Sequence, residues 1–89
     1  MLNEIEMKVL KRYAKRYREV LEDVKKEREK YGTETVFMRA CLHENVGGIY
    51  AVLEMAEERL GTTVEINWNM MVEDNIIMVI IAGHDRQIL

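Results

Sequence analysis

Apolar residues recur at three- and four-residue spacing from the start of the chain. Leu10, Tyr13, Ala14, Tyr17, Leu21, Val24 and Tyr31 fall on one side of a helical wheel, with Leu2 and Val20 at its margin. Lys8, Lys11, Arg12, Lys15 and Lys26 point the other way. The spacing predicts one long helix over about residues 3–31. Asn3 is the expected N-cap with Glu6 completing a capping box, and Glu22 and Lys26 form a favourable i,i+4 pair. Gly32 is the expected stop. At 1.5 Å per residue the helix is about 43 Å long. That exceeds the diameter of so small a domain, so one end is expected to project or to pack on a second chain.

A second stripe runs through Met38, Leu42, Val46, Ile49, Leu53, Ala56 and Leu60. It predicts helix over about 34–60, ending at Gly61. Gly47-Gly48 interrupts the propensity but not the register, each glycine costing about 1 kcal/mol relative to alanine. The segment is therefore one helix bent there or two helices broken there.

The pattern then changes period. Val64, Ile66, Trp68, Met70 and Val72 alternate with Thr63, Glu65, Asn67, Asn69 and Met71, as in a half-buried strand. Glu73-Asp74-Asn75 reads as a polar turn, and Ile76–Ala82 as a second strand apolar on both faces. An antiparallel hairpin over about 62–84 is expected. The expected fold is thus α+β in a single domain, 1–89: a long helix, a helix or helix pair, and a C-terminal hairpin. A strand apolar on both faces with an open edge calls for cover. A homodimer that completes the sheet through Ile76, Met78 and Ile80 is the expected solution.

Composition narrows the function classes. With 48% hydrophobic and 33% charged residues in 89, the chain has globular composition, not that of a disordered segment. The absence of proline excludes collagen and proline-rich ligands. Its longest apolar run, Ile76–Ala82, is far below the roughly 20 residues of a membrane span. Met1–Glu6 is too polar and acidic for a signal peptide, so a cytoplasmic protein with no membrane partner is expected. One cysteine, Cys41, allows no internal disulfide.

Catalytic and metal chemistry find little support. There is no serine, and His84-Asp85 is an isolated pair at a strand end. Cys41 and His43 point apart on a helix, so with Glu44, His84 and Asp85 they make no ligand set of recognisable spacing. Gly47-Gly48 matches no phosphate-loop pattern. No catalytic residue, metal or cofactor is expected.

Charge is the remaining signal. The net charge of −3 hides a split: residues 1–31 carry ten basic and seven acidic residues, and residues 32–89 carry three and nine. Glu44, Glu54, Glu57 and Glu58 mark an acidic face on the second helix, which Glu65, Glu73 and Asp74 extend. A face of this kind attracts a protein with a basic surface. The leading expectation is a small non-enzymatic interaction protein, a regulator or inhibitor of the sort carried by phages and mobile elements. Two alternatives stand beside it. Lys8, Lys11, Arg12, Lys15, Arg16 and Arg18 offer phosphate contacts for nucleic acid, against an isoelectric point near 5.4. Arg39, His43, Gly47 and Gly48 offer a small-ligand or nucleotide pocket between subunits. Trp68 follows the inward alternation and is expected in the core.

Overall fold

Asn3 starts the first helix as its sequence suggests. In the computed structural model, which describes residues 1–89, α1 spans Glu4–Tyr31. The Asn3 side chain accepts the Glu6 amide and the Glu6 carboxylate accepts the Asn3 amide, both at 2.8 Å. Gly32, at φ +79°, donates its amide to the Arg28 carbonyl and ends the helix. Thr35 caps α2, Val36–Leu60, and Gly61 closes it at φ +69°. The two helices form an antiparallel hairpin.

The helix passes through Gly47-Gly48 without a break, so the two-helix alternative is not realised. Tertiary packing explains Gly48. A Cβ at that position would lie 2.4 Å from the Tyr13 ring, which occupies the space a side chain would take. Gly47 has open space around it. The apolar register and the seated ring outweigh the local propensity cost.

The third segment departs from the expected long hairpin. Strand β1 is only Val64–Ile66. The chain then turns at Asn67, whose side chain accepts the Met70 amide at 3.0 Å and caps a short helix, α3, Trp68–Glu73. Residues 68–72, expected as strand, are therefore helical. Glu73-Asp74-Asn75 is the end of α3 and its exit, not a hairpin turn; Asn75 takes the left-handed conformation at φ +56°. Trp68, Met71 and Val72 meet helical spacing as well as Trp68, Met70 and Val72 meet alternation, and Met71 is fully buried. Six residues cannot separate the two periods, and the Asn67 cap decides.

Strand β2, Met78–Ile81, pairs antiparallel with β1, matching Val64 to Ile81 and Ile66 to Val79. The β1–β2 antiparallel pairing is as expected. A third strand was not foreseen: β3, Gln87–Ile88, pairs with the other edge of β2, with Met78 opposite Ile88. The sheet order is β1-β2-β3. At Met78 and Val79 that edge of β2 is therefore paired from within the chain. Of the residues assigned to a dimer interface, Met78 is buried and Ile76 and Ile80 are half-buried.

Ile77, Val79 and Ile81 face the helices with Val64, Ile66 and Met71. Leu10 and Ala14 of α1 and Ile49, Leu53 and Ala56 of α2 close that core. It occupies one half of the helical hairpin. The other half holds only Val24 and Asn45 as buried residues and leaves Tyr31, Val36 and Phe37 exposed. Tyr31 therefore lies outside the core that its spacing suggested. The molecule is correspondingly elongated, 45 × 22 × 18 Å. Three ion pairs brace its ends. At the core end, Arg59 donates to the buried Glu6 carboxylate at 2.7 Å and to the Met1 carbonyl, holding the Glu6 carboxyl below its ordinary pKa. At the tip, Arg28 and Arg39 both donate to Glu34.

Candidate functional site

The second half of α2 buries Ile49, Val52, Leu53 and Ala56. Helical geometry then turns Tyr50, Glu54, Glu57 and Glu58 outward on adjacent rows. β1 runs beside them as the edge strand of the sheet. Its main-chain alternation can be read from the ladder. The Thr63 carbonyl accepts from Ala82 and the Asn67 amide donates to Met78. Val64 and Ile66 therefore aim their peptide groups away from β2, toward the free edge. The Val64 amide there donates to Glu57 Oε2 at 3.0 Å.

Between α2 and β1 lies a cleft of about 410 Å³. Leu53, Val64 and Ile66 form its apolar floor, and Tyr50 and Trp68 its aromatic wall. Glu54, Glu57 and Glu65 complete the lining. Trp68 is held by two tyrosines: Tyr17 meets it edge-on at 5.8 Å, and Tyr50 lies tilted against it at 5.6 Å. No cation of the chain pairs with the three carboxylates. The ion pairs of the protein are Arg28–Glu34, Arg39–Glu34 and Arg59–Glu6. Glu58 sits next to the cleft on a shallower depression with Glu54, Glu57 and the exposed Met55.

The acidic face expected on α2 is thus partly gathered. Glu54 and Glu57 line the cleft and Glu58 adjoins it. Glu44 does not belong to it: ten residues earlier on the helix, it lies roughly 15 Å away along the axis. Sequence reasoning missed Tyr50, whose signal was its position one turn before Glu54. Trp68, expected in the core, packs against it but is only half-buried and also walls the cleft.

The basic residues divide similarly. Lys8, Lys11, Arg12, Lys15 and Arg16 are exposed, while Arg18 is half-buried and donates to the Met71 carbonyl at 3.3 Å. Lys11, Lys15 and Arg18 line a shallow cleft of about 310 Å³ with Asn75, Ile77 and Leu89. Tyr13 and Tyr17 face inward, onto Gly48 and Trp68.

The residues considered for a ligand pocket are not brought together in the single chain. Arg39 turns to Glu34, His43 and Gly47 are exposed, and the Tyr13 ring fills the space at Gly48. No group of three His, Cys, Asp or Glu residues converges as a metal site. His84 and Asp85 are exposed between β2 and β3. No helix is long and apolar enough to cross a membrane. Compared with known protein families, curated proteins and solved structures, the chain matches none.

Proposed function

We propose that this protein is a non-enzymatic interaction module that binds the basic surface of another protein, as a regulator or inhibitor. One observation carries the reading: Glu54, Glu57 and Glu65 line, without any cation of their own chain, a cleft walled by Tyr50 and Trp68. Uncompensated carboxylates around a partly apolar surface are stabilised by an incoming cation, and their field speeds encounter at low salt. Aromatic residues beside them supply contact area that a purely charged patch lacks. Binding to poly-L-lysine, followed by light scattering or calorimetry, tests this against charge-matched controls. The Glu54→Lys, Glu57→Lys, Glu58→Lys triple variant is expected to lose binding. A triple reversal at Glu22, Glu29 and Glu44, of equal charge, is expected to keep most of it. Equal loss in both reduces the effect to net charge and refutes the site.

A second reading rests on a different observation, the clustering of Lys11, Lys15 and Arg18 around one shallow cleft. It is nucleic-acid binding through α1. Affinity for a single-stranded oligonucleotide would then fall linearly with log salt, and Lys11→Glu with Lys15→Glu would abolish it. Absence of binding at about 50 mM salt removes this reading.

A further inference from the structure

We infer that the cleft between α2 and β1 receives one cationic side chain of the protein partner, an arginine or lysine whose stem lies along the cleft and whose charged head meets the carboxylates. This rests on the proposed function and specifies the chemistry of its recognition. The volume is large enough to admit a long side chain. A volume of about 410 Å³ lies within the range of sites that bury most of a small ligand. It exceeds what one aliphatic stem and its terminal group fill, leaving room for neighbouring partner residues.

The lining is layered as a long cationic side chain requires. Leu53, Val64 and Ile66 are 4%, 3% and 6% exposed, so the floor offers only narrow apolar strips between its polar rims. It suits the methylene stem of arginine or lysine, which favours apolar cover while its head stays polar. The rings of Tyr50 and Trp68 stand along the wall, and a cation over an aromatic face is attracted by the ring quadrupole. Trp68 is fixed between Tyr17 and Tyr50, so the wall is preorganised and loses little freedom on binding. Glu54 lines the cleft from the helix, and Glu65 lines it from the edge strand, between the inward-facing Val64 and Ile66. Glu57 is committed through one oxygen to the Val64 amide, which leaves its other oxygen to accept. A planar guanidinium stacks on the rings and donates two parallel hydrogen bonds to a carboxylate, so arginine is favoured over lysine. An apolar side chain would leave the carboxylates desolvated and unpaired, and an acidic one would be repelled.

Trp68 is the only tryptophan, so its emission reads the cleft directly. The probe is N-acetyl-hexaarginine amide, with N-acetyl-hexacitrulline amide as its uncharged counterpart. Binding is measured twice, by Trp68 fluorescence and by anisotropy of labelled peptide. A saturable change in Trp68 emission with the arginine peptide and none with citrulline is expected. Tyr50→Leu, which keeps apolar volume and removes the ring, is expected to weaken binding about three- to tenfold. Glu65→Gln should weaken it in the same sense, with far-ultraviolet circular dichroism confirming that both variants fold. Suppose the arginine peptide binds by anisotropy and is lost on the Glu54, Glu57 and Glu58 reversal. If Trp68 emission then stays fixed and Tyr50→Leu has no effect, insertion is refuted while the acidic-face reading stands. Equal binding of the citrulline peptide refutes a cationic occupant. No binding of either peptide overturns both.

Discussion

Gly47 and Gly48 are neighbours in sequence and in secondary structure, yet alanine should stabilise at the first and not at the second. Both lie within the continuous helix Val36–Leu60. Each glycine-to-alanine change recovers helix propensity worth about 1 kcal/mol. At Gly47 nothing lies within 4 Å of the new Cβ, so the gain is realised in full. A gain of that size raises the melting temperature of a domain of this length by about 4–8 °C. At Gly48 the new Cβ falls 2.4, 2.5 and 2.6 Å from Cε1, Cδ1 and Cζ of Tyr13. Those are atoms of the ring itself, which must be displaced as a unit from between the two helices. Overpacking of this kind costs about 1–3 kcal/mol, which cancels or exceeds the propensity gain. Thermal or denaturant unfolding of G47A, G48A, Y13A and Y13A/G48A decides. G47A should be more stable than the parent and G48A less stable than G47A by about 1–3 kcal/mol. In the Y13A background the same glycine change should become favourable, which gives a coupling energy between positions 13 and 48. If G48A stabilises as much as G47A, Tyr13 does not sit on Gly48, and the helix–helix contact is wrongly placed.

Two further outcomes follow from the same structure. Glu34 is held at a pKa of about 2, chiefly by the Arg28 guanidinium that donates to it, against an ordinary 4.5. Its folded pKa is depressed, so the stability it adds is present above about pH 4.5 and fades toward pH 2; Glu6, lowered by Arg59, acts in the same sense. Denaturant midpoints for Glu34→Gln should lie below the parent at pH 7 and converge with it near pH 2, and a constant gap would refute the clamp. Leu10→Ala, at a fully buried position, should cost about 2–5 kcal/mol. Phe37→Ser, at a position 76% exposed, should change stability by less than about 0.5 kcal/mol. Similar losses for both would mean that the core extends to the tip of the helical hairpin.

The helices were legible in the sequence because several independent signals agreed on each. Asn3 with Glu6, Gly32 and Gly61 mark ends through cap chemistry that is local and strong. The long stripes mark faces. Where signals were few, reading failed. The six residues Trp68–Glu73 satisfy two periods at once, and one side-chain cap at Asn67 selected helix. β3 has two residues and no period to detect; it exists because β2 offers a free edge and the C-terminal segment can reach it. Gly48 looked like a weak point because its partner, the Tyr13 ring, lies 35 positions away in the chain. The candidate site shows the same division. Glu54, Glu57 and Glu58 were visible as an acidic row on α2. Their meeting with Glu65 and Trp68 depends on β1 folding back along that helix, which only the tertiary structure reveals. Glu44, on the same helix and of the same charge, falls outside because it lies roughly 15 Å further along the axis.

The central claim is that the cleft between α2 and β1 is where a basic partner binds. Amide chemical-shift mapping of the ¹⁵N-labelled protein with the hexaarginine peptide, at low salt, tests it most directly. Shifts concentrated at Tyr50–Glu58 and Val64–Trp68, saturating together, are the predicted result. Shifts centred on Lys8–Arg18 or spread evenly over the exposed carboxylates would contradict it.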